Sequence, residues 1–280
     1  MTHPAPSLLH VMSWNIRRRM PHLRRNHPDS WQRRAPLVRR LLQEQRPAVL
    51  GSQEALADQA GVVLDALGDG YRRLGRGRDA RGAGEGCPIF FDSRRLEVLR
   101  WRQLALSDDP QRAGSRSFGN LVPRVAVEAR FRDRETRAEL LVVNTHLDVF
   151  SARARLRAAE QLHALAAAQS LPTILLGDTN ADATSPPLRA LTDDGMLTDA
   201  WNRAEALVSP EWRTYGGYRA PRPGRRIDAL LVSPGIRVRR AGINAERIDG
   251  GWPSDHFPVQ AVLRMPEPKP DDIDREERRP

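Results

Sequence analysis

Polar side chains able to bind a metal or move protons follow four short apolar segments of this sequence, at the point where each segment ends. They are Asn15, Glu54, His146, and the pair Asp178 and Asn180. Two other polar groups precede apolar segments instead: Asp228 before residues 229–232, and Asp255 with His256 before residues 259–263. If the last two segments are strands antiparallel to the first four, all these side chains meet at one rim. The sequence therefore predicts a single site at that rim.

The residue types in this set suit a divalent metal and a phosphate ester. Mg²⁺ prefers oxygen ligands, keeps several waters and is commonly held by one or two carboxylates together with phosphate oxygens. Glu54, Asp255 and Asn15 could supply such ligands. The metal would offset the negative charge of the ester, while a carboxylate or histidine takes a proton from the attacking water. We expect Mg²⁺ as the cofactor, with Mn²⁺ as an alternative.

The elements that must position these residues are mainly strands. Short apolar segments rich in β-branched residues recur at 8–12, 48–50, 89–91, 125–131, 140–143, 173–176, 229–232 and 259–263. Two amphipathic stretches predict helices. One contains Leu37 and Leu41 and has Pro36 near its start; the other runs from the N-cap Ser151 to Ala166. Many strands with few helices predict sheets packed face to face and covered by helices.

Composition places the chain among globular proteins without a membrane span. Its 280 residues are 40% hydrophobic, and no apolar stretch approaches the length needed to cross a bilayer. We predict one domain over residues 1–265 and a disordered charged tail over residues 266–280. The first residues lack the pattern of a signal peptide, and Cys87 is the only cysteine. A cytoplasmic, monomeric protein with no membrane partner is the expectation.

The net charge of +10 leaves nucleic acid open as a partner. A surplus of this sign can attract polyanions. Lys269 is the only lysine, however, and the arginines are dispersed along the chain, which is typical of solvated faces. Charge alone does not decide between a nucleic-acid surface and an ordinary basic protein.

Six segments, taken in chain order, resemble the endonuclease/exonuclease/phosphatase family. They are SWNIR, GSQE, VVNTHLD, LLGDTNAD, RIDALLVS and SDHFPV, and they span residues 13–259. Each motif is short, but six in the family's order and spacing are a specific signal. The resemblance implies an α/β fold, a four-layered α/β/β/α sandwich of two packed mixed β-sheets flanked by helices. It also implies metal-dependent hydrolysis of phosphodiesters or phosphomonoesters.

The resemblance further implies a role for each matched residue. Glu54 is the expected main metal ligand, Asp255 a further carboxylate beside the metal, and Asn15 a neighbouring ligand or a phosphate contact. Asp178 is expected to activate water and Asn180 to orient the phosphate or the nucleophile. His256, paired with Asp228, and His146 are expected to contact phosphate oxygens. Thr179 departs from the aromatic residue or leucine usual in this motif, which predicts altered packing and retained chemistry.

Three further residues are candidates for substrate contacts: Arg124, Tyr215 and Glu85. Asp148 is interpreted as a residue at the start of the helix after Ser151 in preference to a ligand. No Gly-rich loop followed by Lys-Ser or Lys-Thr occurs, which argues against nucleotide hydrolysis of the P-loop kind. The substrate could be a nucleic acid or a small phosphorylated metabolite. The alternative from another class is a catalytically silent nucleic-acid-binding module on the same fold.

Overall fold

Two mixed six-stranded sheets form the centre of the computed structural model, which describes residues 8–21 and 27–266. Strands are numbered along the chain. Across the first sheet the order is β11 (Arg237–Ile243), β12 (Val259–Arg264), β1 (Leu8–Asn15), β2 (Val49–Gln53), β4 (Ile89–Asp92) and β3 (Tyr71–Leu74). Across the second it is β5 (Leu96–Ala105), β6 (Val125–Asp133), β7 (Glu139–His146), β8 (Thr173–Asp178), β10 (Asp228–Val232) and β9 (Thr198–Asp199).

Helices cover the outer face of each sheet. The first sheet packs against α1 (Trp31–Gln45) and α2 (Ala57–Leu67), and the second against α3 (Ala152–Ala167) and α4 (Pro186–Thr192). A short helix, α5 (Ala200–Arg203), follows β9. A third apolar cluster lies between the two sheets. These layers confirm the predicted α/β/β/α sandwich.

The alternation of side chains along β1 shows how the sequence produces these layers. Leu9 and Val11 belong to the apolar cluster between the sheets, whereas Met12 and Trp14 belong to the cluster under the helices. A strand that is buried on both faces needs apolar residues at successive positions, because successive side chains point to opposite faces. All four of these side chains are fully buried.

Strand direction brings the polar ends together. β1 runs parallel to β2 and antiparallel to β12, while β7 runs parallel to β8, and β8 antiparallel to β10. The carboxyl ends of β1, β2, β7 and β8 therefore share one rim with the amino ends of β10 and β12. This is the arrangement that the sequence predicts from the positions of its polar residues.

Several elements differ from the sequence predictions. The elements β3, β5, β9, β11, α2, α4 and α5 are not predicted. Strands β5 and β11 lie at sheet edges and carry exposed arginines, which hides the apolar pattern. Helix α1 begins at Trp31, so Pro36 lies inside it and not near its start. The helix continues past Pro36 because Val38 and Leu41 on its buried face pack on the first sheet.

Other predictions are tested only in part by the described residues. Ser151 caps α3, and its side chain accepts a hydrogen bond from the backbone N–H of Ala154. The predicted disordered tail lies, apart from Pro266, outside the described residues. None of the helices within 8–21 and 27–266 has the length and apolar character needed to cross a membrane.

Candidate active site

An imidazole and a carboxylate from different sheets pair at the shared rim. Asp228 opens β10 in the second sheet, and His256 lies just before β12 in the first. Nδ1 of His256 is 2.8 Å from Oδ2 of Asp228, and its Nε2 is 3.7 Å from Oδ2 of Asp178. The indole N–H of Trp14 donates to the backbone carbonyl of His256 and fixes that loop. All four residues are buried.

Electrostatics in this part of the site favour a charged imidazole. Burial alone would lower the pKa of His256, but the carboxylates of Asp228 and Asp178 outweigh it and raise the pKa to about 10. His256 is therefore an imidazolium at neutral pH. Burial, together with the nearby charge of Asp228, raises the pKa of Asp178 above its usual range. A carboxyl with a raised pKa is a better proton acceptor than an exposed aspartate.

The amide of Asn15 links two carboxylates. Its Nδ2 donates to Oδ2 of Asp178 at 2.9 Å and to Oε1 of Glu54 at 3.0 Å, while its Oδ1 accepts from the backbone N–H of Arg17. The amide oxygen is thus already engaged by the backbone. These contacts orient Asp178 and Glu54 through Asn15, and the ligand or phosphate-contact role expected of Asn15 stays a prediction.

Glu54 is held as a carboxylate. Its Oε2 accepts from the backbone N–H of Arg18 at 3.1 Å, and Arg17 lies 3.6 Å away. Burial opposes ionisation, but the basic groups His146 and Arg17 and the hydrogen bonds from Asn15 and Arg18 lower the pKa of Glu54 to about 2. The side chain of Glu54 is therefore fully ionised at neutral pH.

His146 and Asn180 form a second pair beside Asp178. Nδ2 of Asn180 donates to Nε2 of His146 at 3.0 Å and to the backbone carbonyl of Leu147 at 3.1 Å. Since an amide nitrogen only donates, Nε2 of His146 accepts and carries no proton. Burial is the main cause that lowers the pKa of His146 to about 4. The two histidines of the site therefore differ in charge, His146 being neutral.

Asp255 shares a cation with two other carboxylates. The guanidinium of Arg17 lies 3.7 Å from Asp255, 3.6 Å from Glu54 and 3.4 Å from Asp29. Asp255 is buried, and burial raises its pKa. The hydroxyl of Ser254 donates to the backbone carbonyl of Asn15, which ties the loop of Asp255 to the end of β1.

A fully buried arginine holds these two loops in place. Arg34 on α1 donates to the backbone carbonyls of Ile16, Arg17 and Arg18 after β1, and to that of Pro253 beside Asp255. Its Nε also donates to the carbonyl of Asp29. One side chain therefore fixes both the segment that follows Asn15 and the segment that carries Asp255.

A polar bridge also joins the two sheets behind the site. Nε2 of Gln53, next to Glu54, donates to Oδ1 of Asn144 at 2.7 Å. Asn144 in turn donates to the carbonyls of Ser52 and Pro88. Gly51 makes room for this contact, because a Cβ there would lie only 2.8 Å from Oδ1 of Asn144. The bridge couples the positions of Glu54 and His146.

Three site residues adopt backbone conformations that non-glycine residues rarely take. The φ angles of Arg17, Glu54 and Asn180 are 57°, 59° and 48°. Such residues cluster at functional sites, where the surrounding contacts offset the conformational free energy that this backbone geometry costs. The hydrogen bonds that position Glu54 and Asn180 supply those contacts.

The three candidate substrate contacts occupy different places. Tyr215 is half exposed and lies edge-on to His256, with ring centres 5.1 Å apart. Arg124 is almost fully buried beside Asp148, with its Nε 3.3 Å from Oδ2. Glu85 pairs with Arg18 and Arg78, each at 3.0 Å. Of the three, only Tyr215 presents a large exposed surface next to His256.

Asp148 has the contacts of a residue at a helix start. Its Oδ1 accepts from the backbone N–H groups of Phe150 and Ser151, immediately before α3. Thr179, which departs from the family pattern, is buried, and its hydroxyl oxygen lies 2.8 Å from the carbonyl oxygens of both Ile227 and Ala181, either of which can accept its one proton. Both side chains thus hold the loops around the site.

Within residues 8–21 and 27–266 one group of side chains has the spacing of a metal site, and the sequence predicts a second group. Asp178, Asp228 and His256 present ligand atoms that all lie within 4.8 Å of one another. Glu54 and Asp255 form the other group, on either side of Arg17. In the first group His256 bonds to Oδ2 of Asp228, whereas Oδ1 of Asp228 is buried and has no hydrogen-bond partner among the described residues. In the second group each Glu54 oxygen accepts one hydrogen bond, from Asn15 or Arg18, and keeps a lone pair free, while the guanidinium of Arg17 lies within 3.7 Å of both carboxylates.

Sequence reasoning missed the residues that support the site from behind. These are Arg17, Asp29, Arg34, Gln53, Arg78 and Asn144. Arg17, Gln53 and Asn144 stand inside the matched motifs, so their position was a usable signal. Arg34 and Asp29 lie in a stretch with no motif, and only the fold shows that they reach the site.

Comparison with known proteins agrees with this geometry. The sequence model of the Endonuclease/Exonuclease/phosphatase family matches residues 12–256. No curated protein matches the chain by sequence search.

Solved structures extend the comparison to nearly the whole chain. One is a mannosyl-6-phosphatase from Bacteroides thetaiotaomicron VPI-5482, with 28% identity and a TM-score of 0.84, covering 91% of this chain and 99% of that one. Another endonuclease/exonuclease/phosphatase family protein from Bacteroides thetaiotaomicron has 27% identity and a TM-score of 0.84, covering 91% and 94%. The human Nocturnin catalytic domain, at 19% identity and a TM-score of 0.68, covers 92% and 94% and shares the fold.

Proposed function

Since this chain belongs to the endonuclease/exonuclease/phosphatase family, we propose that it hydrolyses the phosphomonoester of a small metabolite with the help of a divalent metal, Mg²⁺ or Mn²⁺. The similarity to a mannosyl-6-phosphatase over most of both chains supports a phosphomonoester over a nucleic acid. The site geometry supports hydrolysis by direct attack of water.

One observation carries the proposal: the buried carboxylate of Asp178 stands between two imidazoles of opposite character. Its Oδ2 is 3.5 Å from Nε2 of the neutral His146 and 3.7 Å from Nε2 of the charged His256. A proton acceptor and a fixed positive charge therefore face the same small space. General-base catalysis of water attack with stabilisation of a negative phosphoryl group needs this combination.

The reaction follows from these positions. A water oxygen attacks phosphorus and gives one proton to the carboxylate of Asp178. The bond between phosphorus and the ester oxygen breaks, and that oxygen takes a proton from solvent to leave as an alcohol. The imidazolium of His256, held by Asp228, donates a hydrogen bond to a phosphoryl oxygen as its negative charge grows. Asn180 gives its two amide protons to His146 and Leu147, so its Oδ1 can accept a hydrogen bond from the attacking water and orient the nucleophile.

Glu54 and Asp255 would be the carboxylate ligands of the divalent metal, which would replace the guanidinium of Arg17 as their counter-charge. Mg²⁺ is commonly held by one or two carboxylates and otherwise by water and substrate oxygens. When bound, the metal acts as a Lewis acid that offsets the charge of the phosphate oxygens. Asn15 holds Glu54 and Asp178 at a fixed separation in this arrangement.

The silent nucleic-acid-binding module is the less favoured alternative. Asp178 and Asp228 are a buried pair of like-charged groups, and such a pair lowers the free energy of unfolding. A binding module that has lost catalysis has no need for this pair. Binding through dispersed arginines needs only surface charge.

The test is hydrolysis of a panel of substrates with Mg²⁺, with Mn²⁺ and with a chelator, followed as phosphate release for monoesters, p-nitrophenol release for the nitrophenyl esters and chain cleavage for nucleic acids. The panel contains p-nitrophenyl phosphate, sugar phosphates, bis(p-nitrophenyl) phosphate, and single- and double-stranded DNA and RNA. Metal-dependent release from monoesters, at rates well above those for diesters, is expected. Preferred cleavage of nucleic acid would assign a nuclease instead, and salt-sensitive nucleic-acid binding without turnover of any substrate would assign the silent module.

A further inference from the structure

Arg17 lies among three carboxylates at the rim of the site. Its guanidinium nitrogens are 3.4 Å from Asp29, 3.6 Å from Glu54 and 3.7 Å from Asp255. All three carboxylate side chains are largely buried. A buried carboxylate needs a positive counter-charge, because water solvates it poorly there. The single charge of Arg17 is therefore shared by Glu54 and Asp255.

The contacts of Arg17 with Glu54 and Asp255 are ionic but are too long for hydrogen bonds. Charge-assisted N–H···O bonds are about 2.7–2.9 Å long, and a separation beyond 3.5 Å is not a hydrogen bond. Of the three carboxylates, only Asp29 is within reach, with its Oδ2 3.4 Å from both Nε and Nη2 of Arg17. The guanidinium can therefore leave Glu54 and Asp255 without breaking a directional bond.

The backbone of Arg17 is fixed, while its side chain has space to move. The N–H donates to Oδ1 of Asn15, and the carbonyl accepts from Arg34 and Gln59. The side chain is 30% exposed, against 8% for that of Asp29. A shift of the guanidinium therefore leaves the segment that follows Asn15 in place.

Asp29 is positioned to hold Arg17 after such a shift. Its Oδ1 accepts from the hydroxyl of Tyr218 at 2.6 Å and lies 3.5 Å from Nε of Arg34. Its Oδ2 faces Arg17. These contacts orient the carboxylate on the side of Arg17 where a shorter bond can form. A guanidinium that closes on Asp29 and releases the other two carboxylates remains paired.

We infer that Arg17 and the divalent cation are alternative counter-charges of Glu54 and Asp255, and that Arg17 withdraws to Asp29 as the cation binds. Arg17 is then the residue that selects the cation by charge. Exchange of a guanidinium for a monovalent ion brings no additional charge to the two carboxylates, whereas a divalent ion brings one more. This inference rests on the proposed function for the place of the metal and adds the residue that controls its binding.

Calorimetric titration of Mn²⁺ and Mg²⁺ into the protein without substrate tests the inference. In Arg17→Met the ion no longer displaces a charge, so we expect Kd to fall at least about tenfold. Arg18→Met is the matched control, because it removes the next charge along the chain, which pairs with Glu85 at 3.0 Å. It should change Kd less than about threefold, since that charge lies among other partners and solvent. Unchanged or weaker binding in Arg17→Met would overturn the inference.

Asp29→Asn separates the exchange from a general effect of charge. Without the carboxylate of Asp29 the displaced guanidinium loses its partner, so Kd should rise in an otherwise wild-type chain. In Arg17→Met the same substitution should have much less effect, because no guanidinium is displaced. Charges that act independently would change Kd by the same factor in both backgrounds, and that result would contradict the exchange.

A crystal structure with Mn²⁺ answers the question without a substitution, even if Asp29→Asn fails to fold. The guanidinium of Arg17 should lie against Asp29 and farther from Glu54 and Asp255 than 3.6 Å and 3.7 Å. Mn²⁺ bound to Glu54 with Arg17 at its present distances would overturn the inference. Sodium should compete with Mg²⁺ in Arg17→Met more than in the wild type at constant ionic strength, and equal competition would contradict selection by charge.

Metal binding and hydrolysis can fail separately. Tighter Mn²⁺ binding in Arg17→Met, abolished by adding Glu54→Gln, supports the exchange even if the wild type hydrolyses no phosphoester. Metal-dependent hydrolysis by a protein whose Kd for Mn²⁺ is the same with and without Arg17 supports the proposed function and refutes the exchange.

Discussion

The imidazole of His256 and the carboxylate of Asp228 come from different sheets and meet at 2.8 Å between Nδ1 and Oδ2. Removing the carboxylate charge should therefore change the pH range in which the enzyme works. In the wild type the pKa of His256 is about 10, so the imidazolium persists through neutral pH. In Asp228→Asn we expect the alkaline fall in kcat to move down by one or more pH units, towards the ordinary pKa of about 6.5.

The measurement is the pH profile of kcat from pH 6 to pH 10.5, with Asp65→Asn on α2 as an exposed control. An unchanged alkaline limb in Asp228→Asn would show that His256 does not act as a cation in catalysis.

The same pair should make the stability of the fold depend on pH. The pKa of His256 is higher in the folded chain than its ordinary value of 6.5. The stabilisation is therefore complete below about pH 6.5 and is lost as the pH rises through about 10. Denaturant unfolding at pH 6 and pH 9.5 should show a larger loss of unfolding free energy in the wild type than in Asp228→Asn. A loss of equal size in both proteins would contradict this account.

Replacing Asp178 by asparagine should separate activity from stability. The variant keeps the shape of the side chain but removes the proton acceptor, so we expect turnover to fall at least about a hundredfold. Its midpoint of thermal unfolding should not fall, because burial and Asp228 already disfavour the charge of Asp178. Turnover and the unfolding midpoint are measured on the same preparation, with Asp193→Asn as an exposed control. Turnover near that of the wild type would rule Asp178 out as the base.

Glu54→Gln should weaken metal binding. A metal that binds only the folded chain raises its unfolding midpoint, and the rise grows with metal concentration relative to Kd. We expect Mg²⁺ or Mn²⁺ to raise the midpoint of the wild type, and to raise that of Glu54→Gln much less. Glu44→Gln, an exposed position on α1, should respond as the wild type does. If Asp228→Asn loses the response while Glu54→Gln keeps it, the metal belongs to the group of Asp178, Asp228 and His256.

Arg34→Met should destabilise the fold and loosen the site together. The guanidinium donates to the carbonyls of Asp29, Ile16, Arg17, Arg18 and Pro253. Leaving these acceptors unpaired in a buried place should lower the free energy of unfolding by about 3 kcal/mol or more. The comparison is denaturant unfolding of Arg34→Met and of Arg39→Met, which changes a partly exposed arginine on the same helix. A difference below about 1 kcal/mol between them would show that Arg34 does not hold the two loops.

The sequence by itself determined the layers of the fold and the rim where the site lies. β1 has apolar residues at successive positions because it is buried on both faces. Polar residues stand at the ends of six segments, and the directions of the strands bring those ends to one rim. Edge strands such as β5 and β11 escaped prediction because their exposed faces carry arginines and give no apolar pattern.

Only the tertiary structure decided the charge and contacts of the site residues. The motifs pair His256 with Asp228, but they do not show that His146 is neutral against Asn180 while His256 is charged against Asp228. The amide of Asn15 likewise orients two carboxylates that are far away in sequence. A pKa and a hydrogen bond depend on distances of a few ångströms between side chains, and those distances exist only once both sheets have packed.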